Sequence, residues 1–493
     1  MQQSKLDYYA ILGVFYDASQ EEIKHAYIDV AQRLHPDKNM AAGETELFLE
    51  VQKAYEVLSN PKRRNLYDAT LPPNINGNSV LKHEILFSRP SLVRMGEEQL
   101  LYMLLDVGPR EQKERLPSPP LNICLVLDRS TSMQGEKMDM VKATAIQLLR
   151  SLRTEDVFSV VAFSDFAEVI IPAALNTDKR KQEGRIQMIY PSGATEIYHG
   201  LKAGLQEVLR TVHPSRVNHI ILLTDGHTYG DEQDCLRLAE EGAAQNIGIS
   251  GMGIGSDWND IFLDALAGKT GGSSSYISNP RDIQRLLVDK FDALISTYVD
   301  DVILEFEEQE YVKINYAFRL HPDASSIAVA SPMHLGPILR ETPLQVLFEF
   351  VVNPPALNTD VLTLLGGSLK ASVTASPLPV PPIRLNLRRE VYPDPSPEPP
   401  PARVLSPLSR LTLYRMQERA RAAADAGQFG SAARHLHNLA NHLLSSGEHT
   451  VAQTALIEAD NLEKMHAWSA SGNKDVKYGT RALLSGVVEG KVK

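Results

Sequence analysis

The sequence is poor in cysteine, with only Cys124 and Cys235 in 493 residues. Two thiols so far apart make no disulfide scaffold and fit no metal-ligand spacing, which points to a reducing, cytoplasmic setting. Positive charge is also in deficit: the net charge is −11, the wrong sign for holding nucleic acid. No uninterrupted apolar run approaches the ~20 residues of a membrane span. The opening MQQSKLDYYAIL lacks the basic-then-apolar order of a secretion signal. What is left is an ordinary globular composition, 43% hydrophobic and 23% charged, long enough for about three domains at roughly 150 residues each.

Composition shifts divide the chain. Residues 5–69 read as a small helical unit and 70–81, containing LPPNINGNS, as a turn-rich linker. Residues 117–298 alternate apolar runs such as NICLVLD, FSVVAF and HIILLTD with amphipathic helical patterns, the rhythm of an α/β domain on a mostly parallel sheet. Strand-like runs occupy 82–116 and 299–390, which predicts one β-sandwich with the α/β domain inserted. The proline-rich 391–407 predicts an extended spacer. Residues 408–466 predict a helical hairpin, and the 467–493 tail carries no clear pattern.

In the first unit, SQEE (19–22) places Ser19 at a helix N-cap with Glu22 three residues on, a capping box. Ile23, Tyr27, Val30, Ala31 and Leu34 follow at helical spacing, and Pro36 ends the helix at His35. A second amphipathic run, Leu47, Phe48, Val51, Tyr55 and Leu58, completes an antiparallel pair with HPD at its tip. These residues resemble the J-domain of DnaJ-type co-chaperones: DYYAILGV, the Tyr27 helix, HPDKN, then FLEVQKAYEVLSNPKRRNLYD. The resemblance implies docking onto a DnaK-type ATPase and stimulation of its ATP hydrolysis. It assigns the contact to His35, Pro36 and Asp37, with Tyr27, Lys24, Arg33 and Lys38 in support. Where the family usually has two basic residues after the tyrosine, this chain has Ile28 and Asp29.

The pentapeptide RLHPD recurs at 319–323. There the preceding YVKINYAFRL alternates like a strand, no capping box precedes it and no second amphipathic helix follows. Pro322 and Asp323 suit a turn between strands, so the repeat is not a second J-domain.

In the α/β segment, two apolar strands end in aspartates, Asp128 and Asp225. Ser130 and Ser132 follow the first at spacing two, and PSGATEIYHGL brings Thr195 to a loop that opens a helix. Residues just past the carboxyl ends of adjacent parallel strands converge on one crevice. Two carboxylates and three hydroxyls there suit a hard cation. The pattern resembles the von Willebrand factor A domain and its metal-ion-dependent adhesion site. That resemblance implies Mg²⁺ or Mn²⁺ held by Asp128, Ser130, Ser132, Thr195 and Asp225, with an open position for a carboxylate on a client or scaffold protein. Thr131 and Ala194 stand where the family commonly has glycine.

Other features read as structural. Gly251, Gly253 and Gly255 in GMGIGSDW miss the third glycine of a dinucleotide loop, because position 256 is serine. His435, His437 and His442 do not share a helix face as a ligand set. His227 is the one histidine near Asp225 and reads as a surface residue, so no general base is evident and no enzyme is expected. Residues 419–462 faintly resemble one tetratricopeptide unit. Together these readings predict a multidomain co-chaperone with an unidentified client, no nucleic-acid partner and no membrane span. The rival is a metal-dependent scaffold with a vestigial J-domain.

Overall fold

The computed structural model describes residues 8–14, 18–33, 44–68, 81–109, 118–175, 178–228, 230–354, 359–374, 380–396 and 398–484. The N-terminal unit comprises α1 (Tyr8–Leu12), α2 (Gln20–Arg33), α3 (Glu44–Leu58) and α4 (Pro61–Asp68). Tyr9, Leu12, Ile23, Val30, Val51, Ala54 and Leu58 form its core. The capping box is made: the Ser19 amide donates to Glu22 at 2.6 Å and the Glu22 amide donates to Ser19 Oγ at 3.2 Å. Arg64 ties the fourth helix to the first by donating to the Tyr9 hydroxyl at 2.8 Å and to the Ala18 carbonyl at 2.7 Å.

Next come β1 (Leu81–Phe87), β2 (Leu92–Val93) and β3 (Gln99–Pro109). The α/β domain follows with β4 (Leu121–Asp128), α5 (Glu136–Ser151), β5 (Val157–Phe163), β6 (Ala167–Leu175), α6 (Lys179–Gln187) and α7 (Ile197–Leu209). It continues through β7 (Val217–Thr224), α8 (Glu232–Ala243), β8 (Ile247–Ile254), α9 (Asp260–Gly268), β9 (Ser274–Ile277) and α10 (Asp282–Ile295). Its six-stranded sheet has the order β6-β5-β4-β7-β8-β9, parallel except for the antiparallel edge strand β6. Every residue of β4 and β7 is buried, as expected for strands covered on both faces by helices.

The chain then returns to strands β10 (Thr297–Glu307), β11 (Val312–His321), β12 (Ser325–Ile327), β13 (Met333–Leu339), β14 (Leu344–Val352), β15 (Val361–Val373) and β16 (Ile383–Tyr392). With β1–β3 they make two five-stranded sheets, β1-β3-β14-β11-β12 and β13-β10-β15-β16-β2, around one apolar core. The α/β domain is thus an insertion between β3 and β10 of this sandwich.

The C-terminal region differs from a helical hairpin. It has four helices: α11 (Ala402–Asp425), α12 (Phe429–Ser445), α13 (His449–Met465) and α14 (Gly472–Leu484). The expected spacer at 391–407 is shorter, because β16 runs to Tyr392 and α11 starts at Ala402 with Pro407 inside it. Burial of Val404, Leu411 and Tyr414 against the sandwich outweighs the helix bond that Pro407 removes. The 467–493 tail, which showed no pattern in sequence, contains α14, packed by Val476 into the helical core.

The second RLHPD lies at the end of β11, and its role is structural. Arg319 is 1% exposed and donates to the carbonyls of Gly271 and Gly272, both at 2.7 Å. Asp323 pairs with Arg319 at 2.7 Å and with Lys290 at 3.5 Å. The arginine and aspartate of the repeat therefore fasten the sandwich to the base of the α/β domain.

Candidate metal centre

The five oxygen-bearing residues singled out in the α/β domain lie at the carboxyl ends of its central strands. Asp128 closes β4 and Asp225 directly follows β7, its parallel neighbour. Ser130 caps a short 3-10 turn, Thr131–Met133, that contains Ser132, and Thr195 directly precedes Glu196, the N-cap of α7. Ser130 Oγ and Ser132 Oγ are 3.0 Å apart, and Ser132 Oγ donates to Asp225 Oδ1 at 2.6 Å. Thr195 reaches the group beside Gly226, where an added Cβ would lie 2.9 Å from its Oγ1. Asp128, Ser130, Thr195 and Asp225 are buried, Asp128 fully, while Ser132 is exposed.

Asp128 is held by two further contacts. Its Oδ1 accepts from the Ser130 amide at 2.8 Å, and its Oδ2 accepts from the Thr224 hydroxyl at 2.6 Å. Burial pushes its carboxyl up to about 6; these hydrogen bonds oppose the rise and the neighbouring Asp225 charge adds to it. Lys137 donates to Asp225 Oδ2 at 2.5 Å from a partly exposed position on α5. Thr224 and Lys137 were not singled out in the sequence. Thr224 adjoins Asp225 in LLTDG, but the helical residue Lys137 left no signal of its own.

The loops carrying these residues are tied together. Thr131 N donates to Gly193 O at 3.2 Å, Ser192 N to Arg129 O at 2.6 Å, and Ala194 N to Asp165 Oδ1 at 3.0 Å. Gly193, at φ 80°, makes the bend, and a Cβ there would strike Asp165. The glycine commonly found at position 194 is therefore not needed. This donor set is all oxygen, mixes two carboxylates with neutral hydroxyls, and has a carboxyl raised by burial and a like charge. Such a set fits a hard divalent cation.

Other predicted features resolve differently. His35, Pro36, Asp37 and Lys38 lie outside the described residues. Arg33 closes α2, Lys24 is exposed, and Tyr27 stacks on Tyr55 with centroids 4.1 Å apart. Ile28 and Asp29 are both exposed. The glycines of GMGIG serve packing: a Cβ on Gly253 would lie 1.9 Å from the Trp258 ring. His437 meets Asp460 and Glu463 across α12 and α13 on an exposed face, and Asp460 is already paired with Lys464 at 2.7 Å. His227 is exposed.

Family models match three segments of the chain. Residues 7–68 match the DnaJ domain, 122–289 the von Willebrand factor type A domain, and 402–486 the Sll0103-like, C-terminal alpha-helical domain. The chain therefore carries a J-domain followed by a von Willebrand A domain and a helical C-terminal region.

Among individual proteins, it is 34% identical over 198 residues to "uncharacterized protein sll0103" of Synechocystis, covering 40% of this chain and 47% of that one. Its first part is 50% identical over 74 residues to the chaperone protein DnaJ of Trichormus variabilis, covering 15% of this chain and 20% of that one. The chain thus spans less than half the length of these curated relatives. In three dimensions it resembles a von Willebrand factor type A protein from Catenulispora acidiphila, with TM-score 0.64, 16% identity and coverage of 82% of this chain and 97% of that one. The ArnB paralog VWA2 from Sulfolobus acidocaldarius gives TM-score 0.52 at 16% identity, covering 84% and 100%. At that identity the likeness is one of fold.

Proposed function

We propose that this protein is a co-chaperone that couples a DnaK-type ATPase to a client or scaffold gripped through a divalent metal. His35, Pro36 and Asp37 would make the ATPase contact, supported by Tyr27, Lys24, Arg33 and Lys38, with Asp37 forming a charge-assisted pair to an arginine of the partner. Mg²⁺, or Mn²⁺, would be held by Asp128, Ser130, Ser132, Thr195 and Asp225, leaving a position for a partner's carboxylate. The role is binding rather than catalysis, since a positioned acid or base is what a hydrolase would require. Two buried, free cysteines support a reducing, cytoplasmic setting. Among the described residues no helix is long and apolar enough to cross a membrane.

The observation that carries the metal half is Asp128: a fully buried carboxylate surrounded by hydroxyls and a second carboxylate, with no ammonium or guanidinium paired to it among the described residues. Mn²⁺ titration read by paramagnetic relaxation tests it. One site per chain is expected, lost in Asp128→Ala; equal binding in the variant rejects the assignment. For the J-domain half, the wild-type chain is expected to raise DnaK-type ATPase turnover and His35→Gln to lose that effect. One observation favours the rival scaffold reading, namely that α2 exposes Ile28 and Asp29 where a basic face would dock. No stimulation by the wild-type chain, with Mn²⁺ binding intact, would select that rival.

A further inference from the structure

Two aromatic rings stand exposed at the rim of the candidate metal centre. Phe166 is 59% and Tyr190 65% exposed, with Met188 close by in sequence at 78%. Such large apolar side chains need explanation when they cluster. These two rings share one support: the Arg129 guanidinium, whose Cζ lies 5.2 Å from the Phe166 centroid and 5.9 Å from that of Tyr190. The Arg129 side chain is only 4% exposed and donates to Glu168 at 2.9 Å. Its charge is therefore matched within the fold, and the two rings it carries stand beside the exposed Asp165.

The rings stand on the loops that build the oxygen cluster. Arg129 lies between Asp128 and Ser130. Phe166 follows Asp165, whose carboxylate receives the Ala194 amide beside Thr195, and its carbonyl accepts from Ser164 N at 3.0 Å. Tyr190 precedes Ser192, whose amide is bound to the Arg129 carbonyl at 2.6 Å. The aromatic wall and the cation position are thus fixed relative to each other by backbone hydrogen bonds.

Resting on the metal-centre reading above, we infer that Phe166 and Tyr190 form a specificity wall for a protein segment presenting an acidic side chain next to an aromatic or aliphatic one. The acid completes the coordination of the metal, and its apolar neighbour covers the rings. Because Glu168 neutralises Arg129, the guanidinium does not compete with the metal for the acid. Aromatic residues that are rigid, exposed and braced by arginine have the composition of interface hot spots.

The test uses the full-length chain with Mg²⁺ and a displayed library of cyclic heptapeptides as the probe. Selection is expected to enrich an acidic residue adjacent to an aromatic or aliphatic one, with binding lost in chelator. Phe166→Ala and Tyr190→Ala, both at exposed positions, are expected to weaken the selected peptides about tenfold each while Mn²⁺ binding and the urea midpoint stay unchanged. Unchanged peptide affinity in these variants, enrichment of acids without apolar neighbours, or no enrichment by a metal-loaded protein would each overturn the inference. Absence of Mn²⁺ binding in the wild-type chain would instead refute the metal centre on which it rests.

Discussion

Two groups of buried carboxylates in the α/β domain have opposite surroundings. On α9, Asp260 accepts from Arg421 at 2.6 Å and from Lys477 at 2.5 Å, while Asp264 accepts from Lys477 and Arg481, both at 2.7 Å. Burial alone would raise both carboxyls. The cations supplied by α11 and α14 outweigh it, holding Asp260 at about 2 and Asp264 well below the usual carboxylate range. Asp128, no less buried, is ringed by hydroxyls and a like charge and is pushed up to about 6. The contrast separates roles. Where the chain supplies its own cation, the carboxylate clamps the helical C-terminal region onto the α/β domain; at Asp128 it does not, which is what the proposed metal centre requires.

The largest effect expected from this contrast is on stability. Asp264→Asn leaves the charges of Lys477 and Arg481 facing a neutral amide in a buried site, and should cost about 3–5 kcal/mol. Asp128→Asn removes a carboxylate that burial disfavours, so in chelator it should change stability by less than about 1 kcal/mol. Urea denaturation of the full chain measures both. A cost for Asp128→Asn as large as that for Asp264→Asn would erase the distinction.

A second unneutralised carboxylate sharpens the comparison through pH. At the base of the α/β domain, a cavity of about 110 Å³ against the sandwich is bordered by Asp300, Asp301, His334 and Lys290. Burial raises Asp300 to about 7, with the Asp301 charge adding and the Thr374 hydroxyl opposing. The fold therefore favours its neutral form, so the stabilisation is full below the unfolded value near 4 and is lost as pH rises toward 7. His334, raised mainly by its hydrogen bond to Asp301, runs the same way, since its contribution fades as pH climbs through its folded value. The Asp300 shift corresponds to about 4 kcal/mol, and partial solvent contact reduces the expectation to roughly 2. Asp300→Asn should flatten the fall in urea midpoint between pH 4 and 7 and stabilise the protein at pH 8. An unchanged slope would mean that Asp300 is solvated and the seam is not built on it.

Much of this was legible in the sequence where the signal is local. Apolar runs ending in Asp128 and Asp225, hydroxyls at spacing two and the Ser19–Glu22 box all report neighbours within a few residues. The clamp was not legible, because Asp264 and Arg481 are separated by more than two hundred positions and neither lies in a motif. Arg319 and Asp323 were read only as strand end and turn for the same reason: their partners Gly271, Gly272 and Lys290 belong to another domain. Helix α14 escaped because its Lys477 and Arg481 are buried against carboxylates of α9 and its Lys474 against the Ser256 carbonyl and the Trp258 ring, so that its inward face reads as polar surface. Pro407 suggested a spacer where tertiary burial sustains a helix.

The smallest expected effect concerns the residue that falls between the two groups. Lys137 reaches Asp225 Oδ2 at 2.5 Å, as Lys477 reaches Asp264 at 2.7 Å, but its side chain is 29% exposed against 7% for Lys477. A partly solvated pair of this kind contributes about 0.5–1 kcal/mol, enough to hinder an incoming cation without excluding it. Lys137→Met keeps the aliphatic stem on α5 and removes the ammonium. Mn²⁺ affinity should then rise about two- to fivefold, and the gain should shrink in high salt, where the pair is already screened. The matching change at Lys477 should leave Mn²⁺ affinity alone and lower the urea midpoint. If Lys137→Met instead weakens Mn²⁺ binding, the ammonium orients Asp225 for the metal rather than competing with it, and the boundary between the two groups of carboxylates moves to include Asp225 with the clamped pair.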